Sequence, residues 1–191
     1  MIVEFSVYDA PAYSVEHLFD SSENEELIAS FSVANNAYGL ESYLKKQAVK
    51  DEKENYARTY LVKDKATREL VCFFSLRTGL ITIQSGDDQF DTTPAIELSN
   101  FATNSIYRRN HPEIRELGVH VFDVFILPIV RCMAKYVGVN SLYIYALPND
   151  KLIEHYQIMG FTRLPADEEK FVQQHVKPKY DEGCIFMYQT V

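Results

Sequence analysis

Residues 149–161, NDKLIEHYQIMGF, set an asparagine and a tyrosine seven positions apart, Asn149 and Tyr156. At 3.6 residues per turn this spacing places both on nearly one helix face, two turns apart, where a single extended ligand can touch both. A phenol so placed is a proton source, and an amide is a hydrogen-bonding partner. The flanking residues specify the helix itself. Asn149 is a favoured N-cap, Asp150 suits the first turn, and Gly160 suits the left-handed position that ends a helix. A capped amphipathic helix carrying one core tyrosine accounts for the same pattern, so the segment alone leaves both readings open.

A second candidate stands upstream. Residues 115–120, RELGVH, open a long helical pattern over 117–137. The unpaired N–H groups and positive dipole end of a helix start suit an anion, and Gly118 lets one approach the backbone unobstructed. A plain helix start with a turn glycine fits these residues equally well. Neither Gly-x4-Gly-Lys-Ser/Thr nor Gly-x-Gly-x-x-Gly is present, which argues against the common triphosphate and dinucleotide loops. No Gly-x-Ser-x-Gly nucleophile elbow occurs either. His17, His111, His120, His155 and His175 lack metal-ligand spacing with cysteines or carboxylates, so no metal is expected. Cys72, Cys132 and Cys184 are widely spaced in apolar surroundings and read as reduced core thiols of a cytoplasmic protein.

These residues need a scaffold. A chain of 191 residues suffices for a single domain over 1–191, one that buries about 70% of its unfolded surface. The longest apolar runs look too short to cross a bilayer, and the start has no signal-peptide layout, so no membrane role is expected. The pattern predicts a strand over 4–8, two helices within 23–48 around Asn35 and Asn36, and a polar loop, KDEKEN, at 50–55. A hairpin follows from 60–62 and 70–76, continued at 80–83, then a loop at 85–94 and a strand at 94–104. Next come a polar stretch at 105–116, the helix at 117–137 and a strand at 142–147. Pro128 predicts a kink or break in that helix. Strand, about twenty helical residues, strand is a crossover, so those two strands should be parallel and right-handed. Hairpins feeding one crossover make an α/β fold with a mixed sheet.

In order and spacing these segments resemble the GCN5-related N-acetyltransferase (GNAT) family. Its Asn-x6-Tyr-x3-Gly-Phe motif matches Asn149, Tyr156, Gly160 and Phe161. Its Arg/Gln-x-x-Gly-x-Gly/Ala signature matches Arg115 and Gly118, while His120 departs at the final small position. TYLVKD, ELVCFFSL and PAIELSNFA also resemble its strands, so the likeness spans residues 58–190. The resemblance implies a mixed, mostly antiparallel sheet with a splayed parallel pair, flanking helices, and acetyl-CoA as co-substrate between the splayed strands.

The same resemblance assigns roles. Phe101, Ala102 and Thr103 would supply backbone bonds to pantetheine, and Asn149 would bond it from the other side. Arg115, Glu116, Leu117, Gly118, Val119, His120 and Val121 would cradle the pyrophosphate. Arg108 and Arg109 are candidates for the outer phosphate, with solvated loop charges the stronger reading. Tyr156 takes the place of the general acid that protonates the departing thiolate, and a strand amide near Phe101 could bond the developing oxyanion. Glu97 matches the strand position where some members carry a general base. Alternation puts it on a face with Ala95, Ser99 and Phe101, where partial burial would raise its pKa towards a base's range. A structural hydrogen bond is the even alternative for Glu97.

The implied function is acetyl-CoA-dependent N-acetyl transfer to a primary amine of a small cationic or peptide substrate. A net charge of −8 favours a cation and disfavours nucleic acid. Yet YLKKQAVKDEKENYARTYLVKD followed by LVCFFSL resembles the toxin-like branch, which implies aminoacyl-tRNA as the alternative acceptor. Lys45, Lys46, Arg108 and Arg109 would then form the local basic patch. A non-catalytic acetyl-CoA-binding module is the third reading, and retention of Asn149 and Tyr156 weighs against it. A homodimer is compatible with these expectations. The acceptor itself has no transferable motif.

Overall fold

The computed structural model describes residues 10–34, 37–86, 89–175 and 183–191, so the strand expected over 4–8 and the break at Asn35 and Asn36 lie outside the described residues. Seven strands form one sheet in the order β1-β2-β3-β4-β5-β7-β6. They are β1 (Tyr13–His17), β2 (Arg58–Asp64), β3 (Leu70–Gln84), β4 (Phe90–Thr103), β5 (Ser141–Ala146), β6 (Thr162–Arg163) and β7 (Ile185–Thr190). Helices α1 (Asn24–Ser30), α2 (Tyr38–Lys46), α3 (Ala48–Lys53), α4 (Ser105–Asn110), α5 (Leu117–Val121), α6 (Leu127–Ala134), α7 (Asp150–Ile158) and α8 (Ala166–His175) flank it. The chain divides into two compact units, 1–76 with 100–129 and 77–99 with 130–191, and β3 and β4 run from one to the other.

In the first unit β1 pairs antiparallel with β2, and β2 with β3, with a bulge at Val62 and Lys63. Thr59 to Lys63 of β2 are all buried, as in a strand covered on both faces. Leu18, Phe31, Leu44, Ala48, Leu61, Leu70 and Phe73 form its core, with the Phe31 ring edge-on to Phe73 at 5.3 Å. In the second unit β4 pairs parallel with β5 over Ala95↔Ser141, Ile96↔Leu142 and Glu97↔Tyr143. The expected parallel pair is present. β7 then pairs antiparallel with both β5 and β6, over a core of Ile81, Ala95, Tyr143, Leu164, Val172 and Phe186.

Several elements differ from the sequence expectation. KDEKEN is mostly helix: α3 buries only Ala48 and Glu52, one turn apart, too narrow a stripe to show in a polar hexapeptide. The loop expected at 85–94 is shorter, because β4 starts at Phe90. The polar stretch after β4 holds α4, whose N-cap Asn104 accepts from the Ile106 N–H.

Pro128 does not break its helix. Phe122–Ile126 form a π-helical turn, in which the Leu127 N–H donates to the Phe122 carbonyl, and α6 continues through the proline. Proline removes one N–H and crowds the carbonyl four residues back, and a widened turn just ahead absorbs both. The run Leu117–Ala134 is long and apolar enough to cross a membrane, contrary to the reading from apolar runs alone. Its Val121, Phe122, Phe125, Ile126 and Val130 are nonetheless buried inside the protein.

Side chains fasten α4 to the turn after β2. Tyr107 Oη donates to Asp64 Oδ2 at 2.6 Å, Asn110 Nδ2 donates to Glu69 Oε1 at 3.0 Å, and His111 Nε2 lies 2.8 Å from Glu69 Oε2. The hydrogen bond to Glu69 raises the His111 pKa above its ordinary 6.5. The folded state therefore favours the imidazolium. That stabilisation is complete below pH 6.5 and is lost as pH rises through the raised value. His111→Ala should lower the melting temperature most below pH 6.5, with the gap closing towards alkaline pH. A gap that does not vary with pH would assign the stabilisation to the ring stacking of Tyr107 on His111.

Candidate active site

Glu97 is buried on β4, and two other strands supply its partners. Arg77 Nε donates to Oε2 at 2.9 Å and Nη2 to Oε1 at 2.6 Å, while Tyr143 Oη donates to Oε2 at 2.9 Å. A bidentate guanidinium is a strong partner for a carboxylate. The phenol reaches Glu97 because Gly79 lacks a side chain: a Cβ there would stand 2.1 Å from Tyr143 Oη. Burial first, and then the adjacent carboxylate, push the Tyr143 pKa well above its usual range, so its hydroxyl stays a donor. A base at Glu97 would have to give up an ion pair before taking a proton, so this geometry favours the structural alternative. Arg77 and Gly79 share one face of β3 two residues apart, a signal that could have drawn attention to them.

In the same unit α7 has the shape its sequence specifies. Asn149 Oδ1 caps the Leu152 N–H at 3.2 Å, Gly160 takes φ +92°, and the Phe161 N–H returns to the Tyr156 carbonyl at 3.0 Å. Asn149 is exposed at the helix start, and its Nδ2 has no hydrogen-bond partner among the described residues. Tyr156 is 5% exposed, with its ring edge-on to Phe161 at 5.7 Å. Among the described residues its hydroxyl has no hydrogen-bond partner. Burial alone pushes its pKa well above the usual tyrosine range, which holds the phenol protonated.

The other expected site residues lie in the first unit. Phe101, Ala102 and Thr103 end β4, with Ala102 in the core and the other two half-buried. Asn104 anchors that end: its N–H donates to the Val71 carbonyl and its Nδ2 to the Leu70 carbonyl, both at 2.8 Å. Arg115 and Glu116 are exposed, and Glu116 adopts a left-handed conformation, φ 52° and ψ 30°. For a non-glycine residue this costs on the order of 1–3 kcal/mol.

Helix α5 begins immediately after Glu116 with no side-chain cap, which leaves its first N–H groups for solvent or a ligand. A left-handed residue leading into an uncapped helix start directs successive N–H groups to one point, a geometry that suits an anion. Leu117 and Val121 are buried and anchor the loop, while Gly118 and Val119 are half-buried. His120 turns outward, its ring edge-on to Tyr13 at 5.6 Å, so its bulk is accommodated. Arg108 and Arg109 are exposed on α4 and make no ion pair among the described residues. Among the described residues no three metal-ligating side chains cluster. Cys72 and Cys184 are buried and Cys132 half-buried, all three outside any disulfide.

No family model and no curated relative matches the sequence. Solved structures match the fold. A tyrosine-to-phenylalanine mutant of KacT aligns with TM-score 0.63 and 16% identity over 94% of this chain and 95% of its own. A tyrosine-to-phenylalanine mutant of the toxin AtaT, bound to the C-terminus of the antitoxin AtaR and to acetyl-CoA, aligns with TM-score 0.63 and 16% identity, covering 94% and 93%. AtaT complexed with acetyl-methionyl-tRNAfMet aligns with TM-score 0.62 and 16% identity, covering 93% and 94%. At such identities the likeness establishes the fold: this chain has the α/β GNAT fold.

The Arg77–Glu97–Tyr143 network depends on the space at Gly79. Gly79→Ala should destabilise the protein by about 1–3 kcal/mol in denaturant unfolding, the usual cost of overfilling a packed interior. A neutral substitution would show that Tyr143 can leave Glu97 without penalty.

Proposed function

We propose that this chain is an acetyl-CoA-dependent N-acetyltransferase whose acceptor is the α-amino group of an aminoacyl-tRNA. The observation that carries the acceptor class is the engagement of Glu97 by Arg77 and Tyr143. Attack on a thioester needs a neutral amine. At pH 7.5 roughly a third of an α-amine is already neutral, against about one in a thousand for a lysine-like amine. With Glu97 committed to its ion pair, the α-amine is the acceptor that does not need it as a base. The AtaT complex with acetyl-methionyl-tRNAfMet adds support from a protein of the same fold. A small cationic amine is the second reading, favoured by the net charge of −8.

When bound, acetyl-CoA supplies an acetyl group activated as a thioester, and the AtaT structure that holds it supports this choice of co-substrate. The uncapped start of α5 fits a pyrophosphate, with the N–H groups of Leu117, Gly118 and Val119 as donors and Arg115 beside them. The backbone of Phe101, Ala102 and Thr103 would hold the pantetheine arm, and Asn149 Nδ2 would donate to one of its carbonyls. Tyr156 Oη, kept protonated by burial and free of other partners among the described residues, would give its proton to the leaving sulfur. Glu97 would position its strands. A cytoplasmic location follows from such an acceptor.

Tyr156→Phe should lower kcat by roughly 10²–10⁴-fold, the range for loss of a general acid, while acetyl-CoA still raises the melting temperature as in the wild type. Unchanged turnover would leave Tyr156 as a packing residue. Transfer from acetyl-CoA should proceed to methionyl-tRNA and fail with spermidine near neutral pH. The reverse result would return the acceptor to the small cations.

A further inference from the structure

A net charge of −8 speaks against an RNA surface only where carboxylates share the face that lysines present. Along α2 and α3 the exposed lysines outnumber the exposed carboxylates, Glu54 being the carboxylate that shares their face. Residues 38–56 hold four lysines (Lys45, Lys46, Lys50, Lys53) and four carboxylates (Glu41, Asp51, Glu52, Glu54), a sum of zero. Three of the carboxylates have hydrogen-bond partners within the chain. Glu41 accepts the Val33 N–H at 3.1 Å and pairs with Lys45 at 2.7 Å. Asp51 accepts from Gln47 Nε2 at 2.7 Å. Glu52, buried, accepts the Thr59 N–H at 2.8 Å and meets Arg58 Nη1 at 3.2 Å.

Lys46, Lys50 and Lys53 are exposed, and none makes an ion pair among the described residues. Helical bonding runs across the α2–α3 junction, from the Gln47 N–H to the Tyr43 carbonyl at 2.8 Å and from the Asp51 N–H to the Gln47 carbonyl at 3.0 Å. Spacings of four and then three residues therefore place the three lysines on one face. Of the nearby carboxylates only Glu54 is left exposed. Tyr38 and Val49, 65% and 41% exposed, add apolar surface on the same two helices. An exposed aromatic on the lysine-bearing helices suits a nucleic acid, which offers stacking faces along with its phosphates.

We propose that the α2–α3 face of Lys46, Lys50 and Lys53 is the docking surface for the phosphate backbone of the acceptor RNA. The proposal rests on the aminoacyl-tRNA reading given above. Lys45, committed to Glu41, is excluded from the patch, and Lys50 and Lys53 enter it.

The test compares two triple variants that remove equal charge. One is Lys46→Gln with Lys50→Gln and Lys53→Gln. The other is Arg131→Gln with Lys135→Gln and Lys170→Gln, all exposed positions of the other unit. Methionyl-tRNA binding is measured over a salt series, and an unchanged acetyl-CoA melting shift confirms that each variant is folded. The first variant should lower the slope of log K against log salt by about 2 to 3, from roughly 0.7–0.9 per lost phosphate contact, and the second should leave it unchanged. Equal slopes in the two variants overturn the docking face while the acetyltransferase reading stands. A poly-glutamate peptide that loses binding to the first variant, with methionyl-tRNA unaffected, overturns it in favour of an acidic protein partner. A wild type that neither binds nor acetylates methionyl-tRNA overturns the acceptor reading and this surface together.

Discussion

Three backbone rungs join β4 to β5, ending at Glu97 and Tyr143, where a buried carboxylate receives both a guanidinium and a phenol. An unpaired carboxylate there would carry a desolvation cost of several kcal/mol, so the three side chains stand or fall together. Their cooperation reaches into the packing. The Tyr143 ring belongs to the core with Ile81, Ala95, Leu164 and Val172, and lies 5.5 Å from Phe186 on β7. The hydroxyl that satisfies Glu97 is thus held by the same ring that fills the core, and the missing side chain at Gly79 is the condition for both. This arrangement bears on the candidate site because it engages both oxygens of the Glu97 carboxylate.

Tyr143 and Tyr156 show how one physical effect serves two ends. Burial is the first cause of the raised pKa in both, so both phenols stay protonated. The Tyr143 proton is spent on a carboxylate in a permanent hydrogen bond. The Tyr156 hydroxyl has no partner among the described residues, although its ring is packed against Phe161. Of the two phenols, Tyr143 is the one already donating to a side chain, and the Tyr156 hydroxyl is not so engaged among the described residues.

Charge follows the same logic of direction over count. A total of −8 sums side chains that point inward with those that meet solvent. Glu41 and Glu52 satisfy backbone N–H groups within the fold, while the lysines between and after them reach outward. The field a partner meets is set by the outward set alone, since internal ion pairs cancel over a few ångströms.

The sequence by itself determined the elements whose signals are local. The capped helix α7 with its glycine exit, the β2–β3 hairpin and the β4–helix–β5 crossover were all legible, because caps, turn residues and hydrophobic period act within a few residues. Helices α3 and α4 were not. They have little apolar stripe and are fastened by contacts such as Glu52 with Thr59, and Tyr107 with Asp64 43 residues away. Of the candidate site, the N-cap role of Asn149 and the glycine exit at Gly160 were readable from residue type. The commitment of Glu97 was not, since its partners Arg77 and Tyr143 lie 20 and 46 residues distant. The left-handed Glu116 and the outward turn of His120 onto Tyr13 likewise came only with the fold. A side chain's reach and burial are set by what the rest of the chain brings beside it, and a linear pattern does not contain that.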